Sequence, residues 1–498
     1  MNQDYAYAYN DENGTMSSMT VTANGIVDTM TYAYDALQRL TSQTVQRSTG
    51  LTIAGERSYK TLSGNRTTTQ VSSYTAKVNG TAVDSYSYTY DSLGNITAIN
   101  RNGNSISYGY DAQNQLTSMS EGNINYGYTY DTYGNILFVK KYDVEDEPIL
   151  LSTDTYSYND PQWIDRLTAF NGHDIAYDEI GNPLTYYNGS DYAFTWDGRE
   201  LATAVKGSTS VSFKYGADGL RIQKTVGSTV YNYYYADGLL TRQTWGTNNY
   251  IDFLYDESGM VYSCVYNGAQ YYYVRNLQGD VTHLLNANGS VAVTYSYDAW
   301  GKCTVTSGAS DAIANANPIR YRGYYYDTDT GFYYLQSRYY DPTIKRFINA
   351  DSYINANGDI LGFNMYAYCG NNPIMYSDPS GQAIITSIVI GVIIGAVIGG
   401  TAGGVIAYNA AKEEGTTGKD LALETLKGVG KGMVFGGLSG GLLAATGCVL
   451  GVYGVPKTLV TSLGQIMLGE ILTIVPRGIE VGILECYTVS RVDKDPKI

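Results

Sequence analysis

The sequence predicts a mainly β protein built from a repeated hairpin. The motif Tyr-x-Tyr-Asp-x-x-Gly-Asn at residues 88–95 returns in related form every twenty residues, with its second tyrosine at Tyr90, Tyr110 and Tyr130. Tyr accounts for 52 of the 498 residues, against 9 Phe and 4 Trp. Because Tyr packs its ring while its hydroxyl stays in water, this composition favours strands. Together the two observations indicate an array of β-hairpins.

Each repeat is predicted to be a strand, a turn and a returning strand. Alternate strand residues point to opposite faces, so Tyr88 and Tyr90 share a face. Residues 91–94 fit a turn, with Asp91 holding the following backbone amides and Gly94 at a place where positive φ costs little. Drifted copies follow at variable spacing, which is typical of a repeat array. They span residues 32–41, 175–187, 194–204, 213–224, 253–263 and 295–303.

Charge and reactive residues argue against several functions. Residues 382–498 contain equal numbers of basic and acidic side chains, so the excess behind the net charge of -15 lies in residues 1–381. Such acidity would keep nucleic acid away from the repeats. The five cysteines are scattered without CxxC spacing, which predicts neither a disulfide framework nor a metal site, and we expect no cofactor. His173 and His283 are expected to be ordinary sheet residues.

A longer motif lies downstream of the repeats, in residues 318–381. It contains GYYYDTDTGFYYLQSRYYDPTIKRFINADSY and ends in MYSDPSG. With the repeats before it, this segment resembles the Rhs/YD-repeat family and its repeat-associated core. The resemblance implies that residues 1–317 form part of a spiralling hollow β-shell, that residues 318–381 are its core segment, and that the shell encloses a variable C-terminal effector.

The resemblance also implies that the chain cuts itself just after this core. By position, the family's arginine is Arg338 and its two aspartates are Asp351 and Asp378, which makes the chain a candidate aspartyl autoprotease cutting after about Gln382. Two close carboxylates in a shielded site cannot both stay ionised, so one would act as an acid while the other orients a water or activates the amide. Arg338 would hold the charged partner or the developing oxyanion.

Two departures from the family pattern leave a second interpretation open. Asp351 is followed by Ser352, where the family commonly has Pro, and Gln382 stands where cleaving members usually carry Leu. In this alternative, Asp351 and Asp378 only begin turns and the chain is not cut. A further motif, DTDTG at residues 327–331, matches part of a calcium loop but lacks the remaining ligands, so a turn is expected there as well.

The composition changes sharply after Gly381. Residues 382–445 predict a Gly/Ala-rich α-helical hairpin, because glycines recur every four residues on each predicted helix, at 391, 395, 399 and 403 and again at 432, 436 and 440. Residues 383–445 are apolar enough to contact a target membrane, and a helical pair within a soluble domain is the alternative. Residues 446–498 carry no catalytic motif that we recognise and are predicted to be a variable region or a truncated effector.

The resemblance implies that the protein encapsulates and delivers a C-terminal toxin in competition between bacteria. The partners it implies are upstream repeats of a longer shell or an N-terminal secretion module, and an immunity protein. We expect a secreted, cell-surface or cell-wall-associated protein, although no signal peptide opens the sequence. One alternative function is a wall-associated adhesive protein that binds glycan or neighbouring cells. Another is an inactive, displaced cassette.

Overall fold

The computed structural model describes residues 3–10, 14–23, 25–62, 66–352, 361–382 and 385–386. All of them belong to one compact unit of the chain. They form two long antiparallel sheets and a smaller segment that contacts both. The predicted helical hairpin and the region 446–498 lie outside the described residues. In the described part of the chain, no helix has the length and apolar character needed to cross a membrane.

The first sheet contains 15 strands in sequence order, each antiparallel to the next. Its strands are β1 (Gln3–Tyr9), β2 (Met16–Ala23), β3 (Ile26–Tyr34), β4 (Leu40–Arg47), β5 (Thr52–Leu62), β6 (Arg66–Val78), β7 (Thr81–Tyr90), β8 (Ile96–Arg101), β9 (Asn104–Tyr110), β10 (Leu116–Glu121), β11 (Ile124–Tyr130), β12 (Ile136–Asp143), β13 (Ile149–Ser157), β14 (Ala169–Phe170) and β15 (His173–Asp174). This order confirms the predicted hairpin array, because every strand pairs with its neighbours in sequence.

The second sheet contains 13 strands with the same simple order. Its strands are β16 (Thr185–Tyr187), β17 (Asp191–Asp197), β18 (Glu200–Lys206), β19 (Thr209–Tyr215), β20 (Arg221–Val226), β21 (Thr229–Ala236), β22 (Leu239–Trp245), β23 (Asn249–Tyr255), β24 (Val261–Tyr266), β25 (Ala269–Arg275), β26 (Val281–Asn286), β27 (Val291–Tyr297) and β28 (Cys303–Ser307). A short helix, α1 (Ala312–Ala316), follows the last strand.

The second tyrosine of each repeat ties its hairpin to the preceding one. In several copies its hydroxyl donates a hydrogen bond to the carbonyl fourteen residues earlier, at or beside the start of a preceding strand. These bonds join Tyr110 to Ile96 (2.7 Å), Tyr130 to Leu116 (2.6 Å), Tyr215 to Leu201 (3.1 Å) and Tyr235 to Arg221 (3.0 Å). The motif therefore keeps a Tyr at this place because the ring packs between strands while its hydroxyl satisfies a backbone acceptor.

The predicted turns have the expected construction. The Asp91 carboxylate accepts hydrogen bonds from the backbone N–H groups of Leu93 (2.9 Å) and Asn95 (2.8 Å), and from the Asn95 side chain (2.9 Å). Gly94 has a φ of 91°, which a residue with a Cβ rarely adopts. The same three bonds recur at Asp111, Asp131 and Asp178.

One drifted copy keeps its turn but does not form a paired hairpin, and in sequence it lies between the two sheets. At residues 175–187 the Asp178 turn is intact, yet only an isolated bridge joins Tyr177 to Pro183. Pro183 has no N–H to donate, so a regular strand ladder lacks a bond at this place. The first sheet accordingly ends at β15 and the second begins at β16.

The core segment folds as short strands with tight connections. They are β29 (Tyr325–Asp327), β30 (Phe332–Tyr334), β31 (Tyr339–Asp341), β32 (Arg346–Phe347) and β33 (Tyr376–Ser377), with 3-10 turns at Tyr321–Gly323, Leu361–Phe363 and Cys369–Asn371. Just after the segment, β34 (Ile385–Thr386) pairs with β33. The rings of the core segment are buried against residues of both sheets in one hydrophobic cluster. Tyr340, for example, stacks on Tyr368 at 4.0 Å between ring centroids and donates a hydrogen bond to the Trp300 carbonyl (2.7 Å).

Candidate self-cleavage site

The structure brings together the three residues that the resemblance assigned to self-cleavage. Arg338 precedes β31, Asp351 follows the connection from β32, and Asp378 follows β33. One guanidinium nitrogen, Nη2 of Arg338, lies 2.9 Å from Asp351 Oδ2 and 3.2 Å from Asp378 Oδ2. All three residues are buried, and Asp378 is only 1% exposed. Two carboxylates therefore share one cation in a site largely shielded from water.

Each of the three guanidinium nitrogens of Arg338 has a hydrogen-bond or ion-pair partner. Besides the two aspartates on Nη2, Nη1 donates to the Met365 carbonyl (3.0 Å) and Nε donates to the Gly381 carbonyl. The guanidinium carbon lies 3.5 Å from the centre of the Phe347 ring. Burial lowers the pKa of Arg338, and the charges of Asp351 and Asp378 oppose that shift. An arginine side chain keeps its proton even when burial lowers its pKa, so Arg338 can serve as a fixed positive charge.

Tyrosines fix the backbone around Asp378. The Asp378 backbone N–H donates to the Tyr324 hydroxyl (2.7 Å), and that hydroxyl lies 3.0 Å from the hydroxyl of Tyr368. Asp378 Oδ1 accepts a hydrogen bond from the backbone N–H of Gln382 (3.0 Å). Burial raises the pKa of the neighbouring Cys369 thiol, and the charge of Asp378 raises it further. This buried thiol is therefore held neutral and is a poor candidate for a nucleophile.

Asp378 also satisfies the alternative prediction, that of a turn residue. The bond from the Gln382 N–H to Asp378 Oδ1 joins residues four apart, as the bond from Asn95 to Asp91 does in the repeats. The second oxygen distinguishes the two places, because in Asp378 it contacts Arg338 and in Asp91 it contacts the Asn95 side chain. Asp378 is thus a turn residue placed beside a buried cation and a second carboxylate.

Amide side chains of the repeat turns hold the core segment in place, a role that the sequence did not reveal. Three amide side chains of the core segment donate to amide oxygens at the ends of successive turns. These bonds join Asn372 to Asn95 (3.2 Å), Asn371 to Gln115 (2.9 Å) and Asn364 to Asn135 (2.9 Å). The recurring amide at the end of the motif was the available signal, because an amide nitrogen can donate to the turn aspartate while its oxygen accepts a bond from another segment.

A second group of charges fastens the core segment to the second sheet. Arg221 Nη1 lies 2.5 Å from Asp327 Oδ2, and Lys224 Nζ lies 2.9 Å from Asp327 Oδ1 and 2.8 Å from Asp329 Oδ2. Rings of Phe213, Tyr233, Tyr325 and Tyr334 surround the guanidinium. Burial would raise the pKa of Asp327, but the charges of Arg221 and Lys224 outweigh it and lower that pKa.

This arrangement accounts for the DTDTG motif. The Gly331 N–H donates to the Asp327 carbonyl (2.7 Å), which closes the expected turn. Its carboxylates face protein cations, and within the described ranges no group of His, Cys, Asp and Glu side chains has the arrangement of a metal site. The two histidines are strand residues, as expected: His283 Nε2 lies 3.0 Å from Asp84 Oδ2, and His173 stacks on Tyr187.

Hairpins of Tyr-Asp repeats joined to a Tyr-rich core segment define a YD-repeat protein. The teneurin YD-shell family model matches residues 1–374, and the chain belongs to that family. The predicted mainly β repeat fold and the Rhs/YD-repeat resemblance are thereby confirmed.

Two similar proteins contain a segment that resembles part of this chain within a much longer sequence. The tRNA3(Ser)-specific nuclease WapA of Bacillus spizizenii is 39% identical over 225 residues, which are 44% of this chain and 9% of that protein. The double-stranded DNA deaminase toxin A of Burkholderia cenocepacia is 42% identical over 95 residues, which are 19% of this chain and 6% of that protein. The matched segments are therefore small parts of these relatives.

A solved structure has a similar fold. A chain in the crystal structure of TcdB2-TccC3-Cdc42 superposes with a TM-score of 0.60 at 18% sequence identity, over 76% of this chain and 20% of that chain. At this identity the likeness concerns the fold alone.

Proposed function

We propose that this chain is part of a secreted shell that carries a C-terminal toxin segment in competition between bacteria. In this proposal the repeats join further repeats of a longer shell, and the core segment cuts the chain near Gln382 to free the segment that follows. Residues 383–445 would meet the target membrane, and an immunity protein would protect the producing cell. The adhesive and inactive alternatives predict an uncut chain.

The observation that carries the proposal is the position of the charged site. Arg338 contacts the Gly381 carbonyl and Asp378 contacts the Gln382 N–H, where the Tyr-rich composition of the core ends and the Gly/Ala-rich tail begins. Asp351 joins this site through Arg338. A reaction at this point would separate the repeats from the whole tail. Support for a toxin comes from the relatives, since a nuclease and a deaminase toxin with different named targets share a similar repeat segment.

The roles of the three residues follow from their surroundings. Asp351 and Asp378 both contact Arg338 Nη2 in a buried site, so two groups able to carry a proton lie on one centre. One of the two carboxyl groups would supply a proton to the departing amine, while the other orients the attacking water or activates the amide. Arg338 would stabilise negative charge on the carbonyl oxygen as the water adds, which is the largest contribution to many acyl-transfer reactions.

The test is the intact mass of the purified 498-residue chain beside its Asp351→Asn and Asp378→Asn variants. We expect the parent chain to split near Gln382 and both variants to stay whole, because each loses one of the two proton-transferring groups. Asp174→Asn serves as the matched control, since Asp174 is an exposed residue of β15. It should split as the parent does.

Two outcomes would contradict self-cleavage. A parent chain that stays at full length would leave Asp378 as a turn residue only. Fragments that appear equally in all four proteins would point to a contaminating protease.

The toxin part of the proposal has a separate test, in which bacteria produce residues 382–498 with and without the rest of the chain. Growth unaffected by either product would favour the adhesive alternative.

A further inference from the structure

We propose that the open edge of β13 binds an extended peptide segment of a partner protein as an added strand, with apolar side chains and basic residues at its C-terminal end. β13 (Ile149–Ser157) pairs with β12 along most of its length, but on its other side it pairs with β14 only at Tyr156 and Ser157. Among the described residues, no strand is paired with this second edge over residues 149–153. Such an edge offers backbone donors and acceptors to another chain.

The direction of the backbone groups at this edge follows from the bonds of Thr155. Its N–H donates to the Asn171 side chain (2.7 Å), and its carbonyl accepts a hydrogen bond from the Asn171 N–H (2.9 Å). Both polar groups of Thr155 thus face away from β12. Because backbone groups alternate between the two edges of a strand, those of Thr153 face the same open side. Thr153 is therefore placed to exchange hydrogen bonds with an added strand.

The side chains at the start of β13 are apolar and exposed. Ile149, Leu150 and Leu151 are 62%, 51% and 50% exposed. Successive strand residues point to opposite faces, so exposure of three in a row leaves both faces of the strand uncovered here. Natural proteins protect an exposed apolar edge of this kind, or they use it to bind a partner.

The charges beside this apolar run indicate the chemistry of the partner. The loop that precedes β13 carries Glu145, Asp146 and Glu147, and all three are exposed. An added strand antiparallel to β13 would reach this loop with its C-terminal end. Lysine or arginine at that end would face the three acidic residues, and complementary charges of this kind favour the correct partner and register.

A second copy of this chain fits the edge poorly. In an antiparallel pair of β13 strands centred on Leu151, Pro148 of each copy would lie opposite Asp154 of the other, with Glu147 next to it. Proline donates no backbone hydrogen bond, and like charges on facing strands are destabilising. β13 also has an irregularity in its pairing opposite residues 141–142, which restricts regular pairing to a few residues. The edge therefore suits a short basic segment of a different protein.

The test is fluorescence anisotropy of a fluorescein-labelled peptide, TVTVTVKK with an amidated C terminus, titrated with the purified full chain. We expect a dissociation constant below about 100 µM, as for a small transient interface, and weaker binding at higher salt. The control peptide TVTVTVEE has the same length and alternation and should bind about tenfold more weakly or less. Absence of binding by TVTVTVKK, or equal binding of the two peptides, would overturn the proposal.

Charge reversal tests where the peptide lies. The double variant Glu145→Lys with Glu147→Lys should exchange the preference and bind TVTVTVEE more tightly than TVTVTVKK. Glu179→Lys changes an exposed acidic residue in a different turn and should keep the preference of the parent chain. A double variant that still prefers TVTVTVKK would place the peptide elsewhere and would overturn the proposal.

Thr153→Pro tests the added strand itself. Proline removes an N–H from the open edge, and the pairing with β12 does not use that group, so thermal unfolding should be unchanged. Binding of TVTVTVKK should weaken about tenfold, and binding equal to that of the parent chain would contradict strand addition. Light scattering after size exclusion distinguishes the remaining occupant. A dimer of the parent chain that is lost in Thr153→Pro would assign the edge to a second copy and overturn the proposed partner.

Discussion

Aspartates in the repeats and in the core segment begin similar turns in opposite surroundings. Asp91 is partly exposed, and its carboxylate is used entirely within its own turn, on Leu93 and Asn95. Asp378 makes the same bond four residues along the chain, but it is 1% exposed and its second oxygen contacts Arg338. The turn motif therefore fixes the position of the carboxylate in both places, whereas the surrounding residues decide whether it is buried and which group its second oxygen contacts.

The Tyr-Asp pairs of the core segment carry this difference further. Asp327 is fully buried and pairs with Arg221 and Lys224 of the second sheet. Asp341 is equally buried, but it accepts hydrogen bonds from neutral groups, Tyr186 (3.0 Å) and Asn188 (2.7 Å). Burial raises the pKa of Asp341, whereas the pKa of Asp327 is lowered. The same dipeptide thus stabilises a turn in one region and joins distant elements in the other.

The largest expected loss of stability follows substitution of Asp327, which tests directly whether the buried aspartate joins distant elements. Asp327→Asn leaves Arg221 and Lys224 buried without their shared anion. Removal of one partner from a buried ion pair typically costs about 3–5 kcal/mol of unfolding free energy. Urea unfolding of the two chains should measure this loss. A change below about 1 kcal/mol would mean that the surrounding tyrosine rings, and not the carboxylate, compensate the two cations.

The pH dependence of the same pair of proteins provides a second check on Asp327. Since its folded-state pKa is lowered, its contribution to stability is complete above the unfolded value of about 3.9 and is lost as pH falls through the folded pKa. The stability difference between the parent chain and Asp327→Asn should therefore shrink below about pH 4. A difference that grew on acidification would contradict the ion pairing.

The repeat turns were predictable from sequence because their contacts are local. Asp91, Asn95 and Gly94 lie within five residues, so turn chemistry alone predicted the hydrogen bonds and the positive φ. Asp327 meets Arg221 across more than a hundred residues, and no spacing rule connects them. Arg338, Asp351 and Asp378 were assigned by resemblance, and the structure brings them together. The hydrogen bonds to the Gly381 carbonyl and from the Gln382 N–H depend on backbone geometry, which residue types alone do not predict.

A smaller loss of stability is expected at the repeat turns, where a drifted copy of the repeat provides the control. Asp131→Ala removes three hydrogen bonds, to the N–H groups of Tyr133 and Asn135 and to the Asn135 side chain, which also holds Asn364. We expect a loss of about 1–3 kcal/mol, since net hydrogen bonds to charged groups contribute about that much. The drifted turn at Asp218 makes one such bond, to Leu220. Asp218→Ala should therefore cost less, and equal losses in thermal or urea unfolding would contradict the additional role of Asn135.

The smallest effect separates turn formation from contact with the core segment. Gly94 and Gly134 occupy the same motif position with φ of 91° and 77°. Alanine at either place would cost about 1–2 kcal/mol for the left-handed backbone alone. A Cβ at Gly94 would lie no closer than 3.5 Å to the flexible Gln70 side chain, whereas one at Gly134 would lie 2.5 Å from Leu361 Cδ2 of the core segment. Gly134→Ala should therefore lose more stability than Gly94→Ala in parallel urea unfolding, by the cost of moving Leu361. If the two losses are equal, Leu361 yields freely, and the core segment is held at this turn by its asparagine bonds and not by close packing.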